Sequence, residues 1–452
     1  MSTLADPLAL PCGAVLPNRI AKAAMTEGMA DPLGRATPEL ARLYGRWSDG
    51  GAGLLITGNV QVDGNHLERP GNMIVSGRQD SEAMARLKAL ASAGTRGGNH
   101  FWMQISHGGR QTQAVVNPHP KAPSAVAIGL PGKLYGVPEP LTEREILDLI
   151  ERFGVAAEVA QSAGFTGVQI HGAHGYLLSQ FLSPRSNLRD DAWGGSLENR
   201  ARMLMEVFAR VRRGVGPKFP IGVKLNSADF QKGGFGTEDS IVVAGWLQAA
   251  GVDLLEVSGG SLEQPAMMNI DGLEPREIPP QRPSTLVREA YFLDFARTMR
   301  RSVTVPMMVT GGFRTRAAMN AALEQGGADV IGIGRPFCAD PDVPAKLLAG
   351  TDRLERWEER LSLAPRGLGF LRRFSLFHVI ESFAVTCWYY AQMDRIGRTG
   401  YPDIGITPFS AFRQVSRHSS AWIKARKAGK PSIRQGQVPA SSLTRKALRG
   451  GV

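Results

Sequence analysis

Two imidazoles and a phenol crowd one short stretch, His171-Gly-Ala-His174-Gly-Tyr176-Leu-Leu-Ser-Gln-Phe-Leu-Ser-Pro. A neutral imidazole donates an N–H to a carbonyl oxygen and polarises it, while a nearby phenol delivers a proton to carbon. Together they suit reduction of a double bond conjugated to an oxygen-bearing group. The same side chains also serve at a barrel rim simply by satisfying backbone groups, and a metal reading of His-x-x-His lacks an obvious third ligand. Lys224 lies inside the apolar run IGVKLN, where a buried ammonium either meets negative charge or gives up its own. A Schiff-base lyase is the other chemistry such a lysine supports. Gln104, in FWMQIS, is an amide that needs a partner if buried. The turns Thr310-Gly311-Gly312-Phe313-Arg314 and Gly332-Ile333-Gly334-Arg335-Pro336 present backbone N–H groups suited to a phosphate, with Arg335 as a charged clamp. Tight turning alone is the alternative explanation of those glycines.

These residues need a frame. From about residue 18 to 350, short apolar runs alternate with segments of helical period, the pattern of a parallel sheet with helical crossovers. Eight runs qualify as strands: Asn18–Ala23, Leu54–Thr57, Phe101–Ile105, Gly167–Ile170, Ile221–Leu225, Leu254–Val257, Pro306–Val309 and Val330–Ile333. Each is nearly all apolar, as expected of strands covered on both faces. Thr142 and Glu145 form a capping box ahead of the stripe Ile146, Ile150, Phe153, Ala157 and Ala160. A second stripe runs through Leu197, Ala201, Leu204, Phe208, Val211 and Val215. The expected fold is an α/β (β/α)8 TIM barrel over residues 1–350. In that fold the chemistry sits at the C-terminal ends of the strands. Two long Pro- and Gly-rich connections, Ser106–Leu141 and Gly259–Ser284, follow strands and are lid candidates. The segment Arg185–Arg202 reads as structural.

After residue 350 the alternation stops. A helical extension over 351–408 is expected, with a charged helix at Asp352–Leu361 and an apolar, aromatic stretch, Phe370–Met393, packed on the barrel or on a partner subunit. Contact with a membrane surface is an alternative for that stretch. Residues 409–452 read as a basic, mobile tail. Ten Lys or Arg and no acid fall in 411–452, so most of the +12 net charge resides there. A solvated extension is the plain explanation, and contact with an anionic partner the other. With 43% hydrophobic and 21% charged residues among 452, the chain fits neither a disordered polymer nor a membrane bundle. The N-terminus lacks the basic start of a signal peptide, so a cytoplasmic setting is expected. Three scattered cysteines, Cys12, Cys338 and Cys387, cannot supply the four ligands of an iron–sulfur cluster. No G-x-G-x-x-G follows a strand, which leaves no separate dinucleotide domain.

The motifs HGAHGYLLSQFLSP and NLRDDAWGGSLENRARML, with Asn18-Arg19-Ile20, Ala24-Met25-Thr26 and Gly334-Arg335-Pro336, resemble the Old Yellow Enzyme family of NADH:flavin oxidoreductases over about three-quarters of the chain. The resemblance implies bound FMN on the barrel, NAD(P)H as a transient reductant, and an activated alkene as the small-molecule acceptor. It implies that His171 and His174 bind the acceptor's oxygen and that Tyr176 protonates carbon. It further assigns Ala23, Ala24, Met25, Thr26, Gly58, Gln104, His171, Lys224, Gly311, Gly312, Gly334 and Arg335 to the flavin. Lys224 would face N1 and O2, where many relatives carry Arg. Trp193 stands where tyrosine is common. NADH oxidase or demethylase activity on the same flavin is the alternative within the family. A homo-oligomer is expected.

Overall fold

Strands buried on both faces are mostly apolar, and the eight runs found on that basis are the eight strands of the barrel. In the computed structural model, residues 2–130, 133–264, 290, 292–363 and 375–429 are described. The strands are β1 (Ile20–Lys22), β2 (Leu54–Ile56), β3 (His100–Ser106), β4 (Gly167–Gly172), β5 (Ile221–Asn226), β6 (Leu254–Ser258), β7 (Met307–Thr310) and β8 (Val330–Ile333). They pair in parallel in the order β2-β1-β8-β7-β6-β5-β4-β3, and β2 closes the ring on β3. A closed ring has no free edge, so every strand's backbone groups are matched by two neighbours.

Between the strands run α1 (Pro38–Asp49), α2 (Ser81–Thr95), α3 (Glu143–Ala163), α4 (Leu177–Leu182), α5 (Leu197–Val215), α6 (Thr237–Ala249), α7 (Leu293–Met299) and α8 (Arg316–Glu324). The capping box at Thr142 and Glu145 forms as expected, and Gly164 (φ 94) ends α3 in the left-handed conformation that glycine adopts without strain. The helices turn their apolar stripes to the strands: Ile146, Phe153 and Ala157 of α3 and Leu204, Phe208 and Val211 of α5 are all essentially inaccessible. In the Arg185–Arg202 segment, Asn187 Nδ2 donates to the Phe181 and Trp193 carbonyls at 2.8 Å, and Arg189 Nη1 donates to the Leu141 carbonyl at 2.6 Å. That segment ties β4, its helix and the preceding connection together.

Beyond the barrel come α9 (Ser375–Thr399) and α10 (Pro408–Ala428). Two expectations change here and one is met. The charged helix foreseen over Asp352–Leu361 shrinks to a single turn, Trp357–Arg360. The apolar stretch becomes α9, which packs against α1 and buries Trp388, Met393 and Ile396. The tail expected from residue 409 starts as a docked helix: Trp422 is buried with its indole N–H on the Ala30 carbonyl at 2.9 Å, and Arg426 donates to the Pro32 and Gly64 carbonyls at 2.8 and 2.7 Å. Composition hid this, because two anchors suffice to hold a helix whose other faces are basic. The remainder of the tail, 430–452, lies outside the described residues. Among those described, no helix is long and apolar enough to cross a membrane.

Replacing Trp422 by Ala removes a large buried side chain and one hydrogen bond, a cost of about 3 kcal/mol to docking of α10. Hydrogen exchange should show α10 amides losing protection while β4 and β5 keep theirs; unchanged protection in α10 would mean that Trp422 does not anchor it.

Candidate active site

Register brings the chemistry together. Gln104 of β3 stands beside Gln169 of β4, His171 of β4 beside Lys224 of β5, and Lys224 beside Glu256 of β6. Neighbouring residues in register project to the same side of a sheet, so these polar groups share the barrel interior. They form a continuous chain. Gln104 Nε2 donates to Gln169 Oε1 at 2.7 Å, Gln169 Nε2 to Glu256 Oε2 at 2.8 Å, and Thr310 Oγ1 to Glu256 Oε1 at 2.6 Å. Lys224 Nζ lies 2.9 Å from Glu256 Oε1, with the lysine 4% and the glutamate 0% exposed. The negative charge that a buried lysine requires is thus supplied by the protein itself, and the partner that Gln104 requires is Gln169. Lys224 retains two further N–H bonds, and Gln104 Oε1 has no donor among the described residues.

The three rings sit at the mouth above this layer. His171 packs edge-on to His174, with centroids 5.1 Å apart, and to Tyr176 at 4.8 Å. His171 Nδ1 accepts the Ala173 amide hydrogen at 3.2 Å, so the proton of the neutral ring lies on Nε2. His174 (φ 62) and Gly175 (φ 75) occupy the left-handed region and turn the chain sharply off β4. Asn226 Oδ1 accepts the His174 amide hydrogen at 3.0 Å, Gln111 Nε2 donates to its carbonyl at 2.7 Å, and its Nε2 lies 2.7 Å from Ser258 Oγ. Burial, then the Lys224 ammonium, pushes both imidazoles well below their ordinary pKa, keeping them neutral. Burial, then the Glu68 carboxylate and Tyr390, holds the Tyr176 phenol well above its ordinary range, in its protonated form.

Thr26 Oγ1 donates to Glu68 Oε2 at 3.0 Å. Gly58 N donates to Glu27 Oε1 at 2.8 Å, and a Cβ on Gly58 would come to 2.5 Å from Glu27 Oε2 and the Met25 carbonyl oxygen. Glycine is therefore demanded there by the neighbouring Met25–Glu27 segment. The Ala23 N–H bonds the Ile333 carbonyl at 2.9 Å, and the Met25 sulfur lies against Gly334 and Cys338, so the Ala23–Thr26 segment adjoins the turn after β8. Gly311 (φ 140) and Gly312 (φ 83) take conformations that side chains disfavour. Arg314 and Arg335 converge on Glu358 at 2.7 and 3.7 Å. Two guanidinium groups beside glycine turns after β7 and β8 make a setting for a phosphate.

The described residues of the first lid candidate are tied to the second connection. Arg110 Nη2 reaches Glu263 Oε2 at 2.5 Å, and the Gly129 N–H reaches Glu263 Oε1 at 2.9 Å, linking it to the start of the second connection. Residues 265–289 of that second connection lie outside the described residues. One grouping near the first lid, Asp63, His66 and His107, has ligand atoms close enough for a metal ion. Its hydrogen bonds oppose one: Lys121 N–H donates to His66 Nε2 at 2.9 Å and Gly109 N–H to His107 Nδ1 at 3.0 Å. With His66 Nε2 and His107 Nδ1 accepting these bonds, the inward-facing nitrogen of each ring carries a proton in place of a lone pair.

Sequence reasoning missed Gln169, Glu256, Asn226, Ser258, Glu68 and Glu358. A charged or amide residue inside an apolar strand run, as in GVQIHG and LLEVS, was the available signal for the first two. Glycine turns beside two guanidinium groups, together with a cluster of buried neutral rings at the strand ends, fit a flavin-dependent barrel oxidoreductase. The chain belongs to the NADH:flavin oxidoreductase / NADH oxidase family, whose model matches residues 4–353. It is 38% identical over 356 residues to the NADH-dependent flavin oxidoreductase iliE of Neonectria sp. (strain DH2), covering 75% of this chain and 46% of that one. It is 32% identical over 417 residues to the NADH-dependent flavin oxidoreductase iccE of Talaromyces variabilis, covering 88% and 99%. Among solved structures, the Old Yellow Enzyme homologue from Zymomonas mobilis superposes with a TM-score of 0.65 at 26% identity, covering 81% of this chain and 98% of that one. The protein is thus an oxidoreductase that uses FMN and a nicotinamide reductant.

The residues present fit FMN: the turns and guanidinium groups suit its phosphate, and Lys224 and Gln104 keep a donor and an acceptor for a pyrimidine edge. Glu256→Ala would leave Lys224 buried and uncompensated, costing about 3–5 kcal/mol. Urea unfolding checks this. The double variant Lys224→Met, Glu256→Leu should recover most of the loss, and a double variant as unstable as the single one would contradict the pairing argument.

Proposed function

We propose that this chain reduces activated carbon–carbon double bonds, with NAD(P)H as the reductant. When bound, FMN supplies the hydride carrier that the nicotinamide loads and the alkene empties. The observation that carries the reading is the convergence of His171, His174 and Tyr176, with both imidazoles neutral and the phenol protonated. His171 presents Nε2–H as a donor to the oxygen conjugated with the alkene. With the Ser258 hydroxyl donating to His174 Nε2, the His174 proton lies on Nδ1 and makes the second donor. Two neutral donors polarise the acceptor without offering it a strong acid. Tyr176, beside His171, is the proton source for carbon. Lys224 Nζ is engaged by Glu256 Oε1 at 2.9 Å, a pairing that suits an electrostatic role and opposes the free nucleophilic amine of a Schiff-base lyase.

Anaerobic stopped-flow spectroscopy separates the two halves of the cycle. Tyr176→Phe should slow reoxidation of the reduced flavin by 2-cyclohexen-1-one by about 10²–10⁴-fold, the range for loss of a positioned general acid, and leave reduction by NADH within about threefold of the parent. Equal slowing of both halves, or of neither, would remove Tyr176 from the proton-donating role. Because burial and Lys224 depress both imidazoles, the alkene half-reaction should also show no histidine inflection between about pH 6 and pH 8. An inflection near the ordinary histidine value of about 6.5, abolished by His171→Asn or His174→Asn, would contradict their neutrality.

A further inference from the structure

α10 is held by one face and leaves the opposite one to solvent. Ala411 and Trp422 are buried, and Arg426 donates to carbonyls of the barrel loops. Phe409, Arg413, Arg417, Ser420, Lys424 and Lys427 are all exposed. Their spacings of four, four, three, four and three residues follow the helical repeat, so they line one stripe, about 27 Å long at about 1.5 Å per residue. Trp422 falls on the far side of the helix from it. Among the described residues, none of the four cations on the stripe forms an ion pair, and Arg413 lies over the Phe409 ring, 5.9 Å from its centre. Where α9 brings an acid to α10, with Asp394 accepting from Gln414 Nε2 at 3.2 Å, the contact falls outside the stripe. α10 itself contains no acid, and residues 429–452 add Lys430, Arg434, Arg445, Lys446 and Arg449, again with no acid.

Apolar side chains border the cations. Phe412 meets Phe383 of α9 with ring centres 6.0 Å apart, and Phe383 and Phe409 are each 55% exposed, with Ile380 close behind at 48%. Leaving such groups in water forgoes the gain that burying them would bring. The family model ends at residue 353, so this surface lies outside the part of the chain that carries the flavin chemistry.

We propose that the outer face of α10, with Ile380 and Phe383 of α9, docks the protein on an anionic phospholipid bilayer. Unpaired cations along a straight rod match a flat sheet of negative headgroups, and rings without polar atoms beside them suit the boundary with the acyl chains. The helix lies along the surface, its buried face remaining on the barrel. A second copy of the chain fits less well, because a two-fold contact would set the same cations against each other. Its apolar area is also small. A whole aromatic side chain buries about 150–250 Å², so these half-exposed ones offer on the order of 400 Å², against roughly 800 Å² per partner in a stable interface. A nucleic-acid duplex would answer the cations and leave the rings in water.

Co-sedimentation of the full-length holoenzyme with vesicles tests this. Phosphatidylcholine containing about 30% phosphatidylserine should bind the parent at least about tenfold more tightly than phosphatidylcholine alone. Raising NaCl from about 0.1 M to about 1 M shortens the screening length from about 10 Å to about 3 Å and should remove most of that advantage. Arg413→Gln, Arg417→Gln, Lys424→Gln and Lys427→Gln together should weaken binding by about tenfold or more. Phe383→Ser with Phe409→Ser should weaken it by about threefold or more. All of these positions are exposed, so FMN content, melting temperature and flavin bleaching by NADH should match the parent and report folding. Replacing Lys430, Arg434, Arg445, Lys446 and Arg449 by Gln should cost less than the four changes on the stripe. The proposal is overturned if the parent binds neither vesicle or both equally, if the stripe variant binds as the parent does, or if the changes beyond α10 cost more. It is also overturned if the phenylalanine changes dissociate a parent dimer in sedimentation velocity, which would make the face a contact between copies. Tighter binding of duplex DNA than of the phosphatidylserine vesicles at the same NaCl would assign the face to nucleic acid instead.

Discussion

The interior of this barrel depends on one ion pair. Lys224 and Glu256 face each other across β5 and β6, both almost completely removed from water, and neither charge is tolerable there without the other. A closed sheet leaves little slack for relaxation, so the pair must be satisfied where it stands. Thr310 and Gln169 complete the coordination of the Glu256 carboxylate, and Gln104 completes that of Gln169. This polar layer spans β3 to β7 and is the floor on which the three rings rest. It also bears on their electrostatics, because burial and then the Lys224 ammonium lower the pKa of His171 and His174. Pairing in the interior and proton placement at the mouth are therefore one problem with one solution.

How much of this is legible in sequence follows from which interactions are local. All eight strands can be read to within a few residues, since burial on both faces leaves an apolar signature no neighbour can erase. The motif from His171 to Tyr176 is local in sequence: the turn at His174 and Gly175 brings the three rings together, and Gln111, Asn226 and Ser258 then hold it. The partners of Lys224 and Gln104 are another matter. Glu256 and Gln169 are 32 and 65 positions away from them, and only the register of neighbouring strands brings them within reach. α10 is illegible for a different reason. Basic composition describes its exposed faces, while its docking depends on Trp422 and Arg426, whose receiving carbonyls at Ala30, Pro32 and Gly64 belong to loops far back in the chain.

The C-terminal extension is bound to the barrel at its most consequential points. Trp357 stacks on Trp388 with centroids 5.7 Å apart, and Tyr389 Oη donates to Glu358 Oε2 at 3.2 Å. Glu358 in turn meets Arg314 and Arg335 beside the glycine turns. Burial raises its pKa, yet the two guanidinium groups outweigh that and hold it below the ordinary glutamate range, as expected of a carboxylate engaged by both. The same extension, one residue beyond Tyr389, lays Tyr390 on Arg69. Helices outside the barrel thus bear on both sides of its mouth.

The charge balance at the turns after β7 and β8 gives that arrangement a physical sense. Arg314 is 5% exposed and could not stand alone as a cation at that depth. Glu358 neutralises one of the two positive charges and leaves an excess of one, which a phosphate can use. A second carboxylate would abolish the attraction; none at all would leave two like charges repelling each other and straining the turns. Because Glu358 reaches the turns from the extension, the number of charges presented to a phosphate is set by residues outside the barrel motif. Loss of the extension would then change the charge at these turns even with every strand, turn and glycine of the barrel intact.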